Sequence, residues 1–432
     1  MEQLKYTANK ALDALLAEGA EKAKCDVGYS VTHEFNVDGG QFSLFRTLFD
    51  KHLILTAIRE GKKGTVRQNR YDDETVMELA ASCLGTAESA VPDEAWDLAP
   101  QSENRDFVYG AVTSDNEKLF ARCKELMADI TARYPKIIME QMIVTHKEVK
   151  SVHANSNGVV FGEHCGYYQV DLMFSGHEGE KSSSFFGSGF TAYDLDRPFI
   201  DCASIAKDLA DVEKQIDTVS AEGKFEGVVL LPPSGLSAFL YYLLSNFAGD
   251  GALLQGTSPW KDSLGQKVAD EAITLSAAPL DDRIVCGERV TDDGFLAENY
   301  DVIKDGMLEQ FMLSLYVANK TGNKRAPNGS FSLVMAPGDK SLDEIVAGIE
   351  RGIVVGRFSG GNPSSNGDFS GVAKNSFLIE KGKITKALSE TMISGNLADM
   401  LKNVVGISRE QLADGSMVLP YAAFGGITIS GK

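Results

Sequence analysis

Hydrophobic and polar residues alternate in two different rhythms along the chain. Leu4, Ala8, Ala11, Leu12, Leu15 and Leu16 recur at helical spacing, and Gly19 follows, so residues 2–18 are expected to form an amphipathic helix. The rhythm then changes to two. Cys25, Val27, Tyr29, Val31, His33, Phe35 and Val37 alternate with more polar residues, which predicts a half-buried strand. "HLILTAI" from His52 reads as a second strand, with "GKKG" as the turn after it. Helical spacing returns at Asp73–Ala90 and Asp115–Tyr134. The second of these carries a stripe of Leu119, Phe120, Cys123, Leu126, Met127 and Ile130. Strand-like segments run from Ile137 to Phe190, broken at "NSNG" from Asn155 and "GHEGE" from Gly176, and a helix is expected over about Ile200–Val219.

"AEGKFEG", Ala221–Gly227, reads as a boundary. After it come a buried strand, "VVLLPP", and a very apolar helix with Ser234 as its cap. Beyond about residue 270 short strands and glycine turns dominate. Two helices stand out there: one opened by a Ser341/Glu344 capping box, the other by Asn396 with Asp399, placing Leu397, Met400, Leu401, Val404 and Val405 inward. The expected fold class is α+β with two domains. Residues 1–222 would form an N-terminal domain of helices on a largely antiparallel sheet, and 223–432 a C-terminal β-rich domain.

Composition narrows the functional classes. The chain has 432 residues and a net charge of -19. A nucleic-acid binder needs a cationic surface to displace counterions, so direct contact with nucleic acid is not expected. No apolar run is long enough to span a membrane, and the N-terminus lacks the basic start and apolar block of a secretory signal. The six cysteines lie far apart with no CxxC, which reads as reduced thiols in the cytoplasm.

Candidate chemistry is sparse. All six histidines lie before residue 178, and none is paired at three, four or five residues' spacing. His164 and Cys165 are adjacent on an expected strand and would point to opposite faces, so they do not chelate one ion. His177 sits in an expected polar turn. "SPWK" at Ser258–Lys261, "SDN" at Ser114–Asn116 and "KTG" at Lys320–Gly322 imitate the signatures of penicillin-recognising serine enzymes. The order is wrong for that family. "SDN" looks like a helix N-cap, and "KTG" falls in a polar loop. "SGGNPSSNGDFSG", Ser359–Gly371, is no phosphate loop, since Asp368 stands where the P-loop has lysine. Asn366-Gly367 suits a positive-φ bend, and Asp368 can tie the loop through backbone N–H groups.

Read in order from residue 262, "DSLG", "DVIKDGMLEQFMLSLYVANKTG", "GGNPSSNGDFS", "FLIEKGKI", "TMISGNLADMLKNVVGI" and "DGSMVLPYAAFGGITISG" resemble the C-terminal domain of the TldD/PmbA family, also called the modulator-of-gyrase family. The likeness covers about residues 225–430. In that family, TldD-type subunits carry HExxxH on the helix after a proline-ended strand and a cysteine ligand near the C-terminus. They form a zinc peptidase with a PmbA-type (TldE) subunit that lacks these ligands. Here the middle of the corresponding helix reads "FLYYLLSN", with Tyr241, Tyr242, Ser245 and Asn246, and no cysteine follows Cys286. Gly415 and Ser416 stand where a thiolate would be wanted. The resemblance therefore implies a PmbA/TldE-type chain without a metal or catalytic residue of its own. It also implies zinc in a TldD-type partner, peptide substrates, and a heterodimer or, when alone, a homodimer. A stand-alone homodimeric peptide-binding module is the alternative. The resemblance makes Asn362, Gly367, Asp368, Phe369 and Ser370 candidates for lining a substrate cleft. The family's usual Arg-Gly-Ala after "GDFS" is Gly371-Val372-Ala373 here, and Glu390, Gly395 and Asn396 read as helix capping.

Overall fold

A computed structural model describes residues 1–389 and 391–431; Glu390 lies outside the described residues. The elements of the first half are α1 (Glu2–Ala17), β1 (Lys22–Asp38), β2 (Gln41–Arg59), β3 (Lys62–Gln68), α2 (Asp73–Glu88), β4 (Arg105–Gly110), α3 (Asn116–Arg133), β5 (Ile137–Asn155), β6 (Val160–Glu178), β7 (Lys181–Ser182), β8 (Phe186–Ala192) and α4 (Ile205–Lys214). The strands form one sheet in the order β3-β2-β1-β5-β6-β4, with β7 and β8 also on β6. Every pairing is antiparallel except β4 with β6.

The period of two sorts the residues of this sheet onto its faces. Cys25, Val27, Phe35 and Val37 of β1 share one face with Met142, Val144, Val152 and Ala154 of β5. Both helix pairs cover that face, α1 and α2 towards one end of the long strands and α3 and α4 towards the other. The opposite face carries Lys24 and Asp26 of β1 and Glu163, Cys165, Tyr167, Gln169 and Asp171 of β6. Several of these line cavities against the second half of the chain.

The second half contains β9 (Lys224–Leu231), α5 (Pro233–Phe247), α6 (Asp250–Leu254), β10 (Leu275–Ala277), β11 (Tyr300–Lys304), β12 (Met307–Leu308), α7 (Leu315–Thr321), β13 (Leu333–Met335), α8 (Leu342–Ala347), β14 (Arg351–Ser359), β15 (Asp368–Glu380), β16 (Lys383–Leu388), β17 (Thr391–Asn396), α9 (Leu397–Lys402), β18 (Val404–Ala413) and β19 (Val418–Ser430). The strand path runs β12-β11-β10-β13-β19-β17-β15-β14-β9, and β9 also pairs with β19. Five strands, β19, β17, β15, β14 and β9, thus close into a ring without a free edge. Alternate residues are buried on its two sides. Val229, Leu231, Ile353 and Val355 join the apolar face of α5, while Leu230 and Val354 pack with Ile345 and Val346 of α8. The chain is a two-domain α+β protein, helices on a largely antiparallel sheet followed by a β-rich half.

Several local expectations need correction. β2 begins at Gln41, eleven residues before His52, because Gln41–Lys51 pair with β1 in a hairpin whose tip is exposed on both faces and shows no clean alternation. The turn after β2 is Glu60-Gly61, both at positive φ, and Lys62–Gly64 of "GKKG" already belong to β3. The helix expected over 200–219 is only α4, preceded by a 3-10 turn at Phe199–Asp201. Pro232, not Ser234, is the N-cap of α5, and Pro233 takes the first helical position, where a missing N–H costs nothing. Lys320 and Thr321 of "KTG" end α7, with Gly322 at φ 72° as its left-handed cap. His177 lies on β6 rather than in a turn. α9 stops at Lys402, so Val404 and Val405 begin β18, and Val405 is exposed rather than inward.

Candidate functional site

The glycine loop folds onto itself and onto α9. The Ser364 N–H donates to the Asp368 carbonyl (2.9 Å), and the Gly367 N–H to the Ser364 carbonyl (2.8 Å). Asp368 accepts from the amides of Asn366 and Asn396, both at 2.9 Å. Those two amides, Asn396 first, hold its carboxyl below the usual range. Asn396 also caps α9 through the Ala398 N–H (2.9 Å). Gly367 sits at φ 90°, and a Cβ there would come within 2.7 Å of the Phe247 ring. Phe369 is buried edge-on to Phe239 and Phe358. Asn362 and Ser370 are exposed. Of the five candidate residues Asp368 lines a cavity of about 360 Å³, shared with Gly395, Asn396 and Asp399. Gly367 and Phe369 hold the loop down.

The two ends of α5 face different neighbours. Tyr242 donates to the Asn362 side chain (2.7 Å), and the Asn246 amide to the Ser364 carbonyl (3.1 Å), so the middle of the helix braces the glycine loop. Its first turn meets the "DGSM" segment instead. Pro233, Ser234 and Ser237 share a cavity of about 160 Å³ with Asp414, Met417 and Asp208. The helix and the C-terminal segment that the resemblance pairs do converge, but at the start of α5 and not at Tyr241–Asn246. Gly415, at φ 86°, lies so close to Thr191 that a Cβ would fall 2.2 Å from its carbonyl oxygen.

The donor set at this junction does not fit zinc. It offers prolines, serine hydroxyls and two carboxylates already in use. Asp414 accepts from the Ser416 N–H, the Ser416 hydroxyl and the Met417 N–H at 2.7–2.8 Å. Asp208 accepts from Ser188 (2.7 Å) and Ser204 (2.6 Å), and burial pushes its carboxyl up to about 6. Among the described residues no group of three or more His, Cys, Asp or Glu side chains is placed to hold a metal ion. The histidines are engaged elsewhere: His146 Nε2 with the Ala111 carbonyl, His153 Nδ1 with Asp26, and His164 Nε2 with Glu148. Asp208 and Asp414 escaped the sequence reading, since lone aspartates in helix and turn carry no spacing signal.

The Ser-Lys reading fails on geometry. Ser258 is buried, donates to the Phe247 carbonyl (2.5 Å) and accepts from the Trp260 N–H (3.0 Å), while Lys320 is paired with Asp93 (2.7 Å). Asp115 of "SDN" is the N-cap of α3, as expected.

Two larger cavities lie between the open face of the first sheet and the second half. One, of about 780 Å³, is lined by Tyr109, Glu163, Cys165, Tyr167 and Cys286; the other, of about 740 Å³, by Lys63, Trp96, Tyr316, Arg325 and Phe331. Glu288 borders both. Its carboxyl is pushed up to about 7 by burial and by the charges of Asp292 and Asp293, against the stabilising N–H of Gly329 at 2.9 Å. In the second cavity the Trp96 and Tyr316 rings stack at 3.6 Å, and the Lys63 ammonium lies 4.1 Å from the Trp96 centroid. An extended chain laid here would meet flat aromatic faces, one ion pair between Arg325 and Asp293, and a carboxyl able to exchange a proton near neutrality.

Comparison with known proteins agrees with this architecture. Residues 222–431 match the family profile described as PmbA/TldA metallopeptidase C-terminal domain. The metalloprotease PmbA of Escherichia coli O157:H7 is 24% identical over 422 residues, covering 91% of this chain and 87% of that protein. A metalloprotease of Methanocaldococcus jannaschii is 27% identical over 429 residues, covering 91% of each. The crystal structure of TldE from Thermococcus kodakarensis superposes with a TM-score of 0.87 at 20% identity, over 98% of this chain and 99% of that one. A Bacteroides thetaiotaomicron protein named for modulation of DNA gyrase gives 0.85 at 23% identity, with both chains fully covered. The chain belongs to the PmbA/TldD family of metalloproteases.

Proposed function

We propose that this chain is the non-metal-binding subunit of a TldD/TldE-type zinc metallopeptidase complex that acts on small or unfolded peptides in the cytoplasm. The observation that carries the reading is the junction of α5 with Asp414–Met417. The segments meet at the first turn of α5 over prolines, hydroxyls and hydrogen-bonded carboxylates, and farther along the helix Tyr241–Asn246 supply no imidazole or carboxylate. The metal, its acidified water and the general base then come from a TldD-type partner. This chain contributes the cavities beside Glu288, and the segment Asn362–Ser370 borders the path of the peptide or of the partner. The division of function follows a division of the chain at residues 222/223. Among the described residues no helix is long and apolar enough to cross a membrane, and the charge of -19 speaks against nucleic acid as a ligand.

The test is co-purification with a TldD-type chain. The expected result is a mixed dimer that holds zinc and cleaves peptides, while this chain alone holds well under one zinc per molecule and cleaves nothing. Stoichiometric zinc on the isolated chain, lost to a chelator together with peptidase activity, overturns the proposal. The aromatic platform of Trp96 and Tyr316 favours a second reading, a homodimeric peptide-binding module that works alone. That reading requires tight peptide binding by the isolated chain with no gain on adding the partner.

A further inference from the structure

Six cysteines occur in the chain. Cys25, Cys83 and Cys123 are buried in the cores under the helices of the first half, and the Cys202 thiol donates to the Pro198 carbonyl. Cys165 and Cys286 differ. They are more than a hundred residues apart, on β6 of the first sheet and on a loop of the second half. Both line the cavity of about 780 Å³. The Cys286 sulfur also lies 3.8 Å from the carbonyl oxygen of Gly166, the residue next to Cys165.

The backbone holds this juxtaposition at a cost. Cys286 adopts φ 50°, a left-handed conformation that non-glycine residues seldom take. Its N–H donates to the Tyr193 hydroxyl (2.7 Å), which fixes the loop against the first half. Cys165 faces the cavity because it shares the odd-numbered face of β6 with Glu163 and Tyr167.

We propose that Cys165 and Cys286 are a redox-active dithiol whose oxidation by small-molecule disulfides links the two halves of the chain across this cavity. The roles of the thiols are unequal. The Cys286 thiol, helped by Tyr109 and opposed by burial, holds Cys165 below the ordinary thiol range, while Cys165 and burial push Cys286 up. Cys165 is therefore the attacking thiolate. It attacks one sulfur of glutathione disulfide, forming a mixed disulfide and expelling one glutathione thiolate. Cys286 gives its proton to solvent and attacks the Cys165 sulfur, so the second glutathione leaves. The two thiols are oxidised and one glutathione disulfide is reduced to two glutathiones. This inference does not depend on the function proposed above.

The experiment treats the reduced, folded full-length chain with glutathione disulfide, quenches with acid, and counts thiols after unfolding. Loss of two of the six thiols is expected, with a non-reduced peptide map joining the Cys165 and Cys286 peptides. Cys286→Ser should instead accumulate a glutathione adduct on Cys165, and Cys165→Ser should keep its five thiols. All six thiols surviving conditions that oxidise a reference dithiol overturns the proposal. So does a crosslink between any other pair, or an unchanged yield of disulfide in Cys286→Ser.

Discussion

Gly367 and Asp208 show how much a single position can decide. A Cβ at Gly367 would both strain a backbone at φ 90° and collide with Phe247, whose ring belongs to the α5 core. Gly367→Ala should cost about 1–3 kcal/mol, read as a lower midpoint in urea unfolding, whereas Gly85→Ala, within α2 and with open space around it, should stabilise by about 0.5–1 kcal/mol. Asp208 makes a prediction about pH. Its carboxyl, pushed up to about 6 by burial, lies above the ordinary aspartate value of 3.8, so the native state binds the extra proton. Its contribution to stability is full below pH 4 and is lost as pH rises through 6. Asp208→Asn keeps an oxygen for Ser188 and Ser204 and removes the titration. The variant should gain on the wild type by about 2–3 kcal/mol between pH 4 and 8, measured by urea unfolding across that range. At this scale the sequence was partly legible. Asn366-Gly367 announced its bend, but Asp368 ties the loop through the side-chain amides of Asn366 and Asn396 and not through the backbone N–H groups expected. The pairing of Asp368 with Asn396, and of Asp208 with Ser188, joins residues far apart in the chain, and no local pattern encodes such contacts.

Elements were legible where one face is buried and one is wet. β1 kept its alternation towards its two ends though not over Gly28–Glu34, and α1 and α3 kept their stripes except for the exposed Leu16, because each has one face on the core. α7 went unread as a helix because seven residues carry too little periodicity. The β1–β2 hairpin tip hid for another reason. Phe45 stacks on Phe35 (4.5 Å) and Phe42 leans on Phe120 (5.0 Å), while Leu48 and Phe49 project outward, Phe49 being 76% exposed. An apolar surface of this kind on a protruding element fits association with another subunit. Phe49→Glu should leave unfolding unchanged within about 0.5 kcal/mol and weaken the proposed dimer in sedimentation velocity. Unchanged sedimentation would remove the hairpin from the interface.

For the whole molecule, the division into a helix-covered sheet and a β-rich half follows from the change of pattern near residue 222, and the order of segments beyond it pointed to the family. The closed ring did not show in the pattern. β9 and β19 stand at opposite ends of the second half and meet through Ala422↔Leu231 and Ser430↔Lys224. β19 also pairs with β13, β17 and β18. A chain ending after Met417 should lose the second half cooperatively, not fray at one strand. Limited proteolysis would then cut throughout 224–417 while α1–α4 and their sheet stay protected. Intact protection of 224–417 would show that the ring does not need its last member.

That dependence sets an order of events on the ribosome. The greasy helix Pro233–Phe247 emerges well before the strand that completes its shelter, Val418–Ser430. While the segment between them is being translated, Leu236, Phe239, Leu240 and Leu243 have no finished enclosure, and a nascent chain of this design is open to holding factors until that strand has left the tunnel.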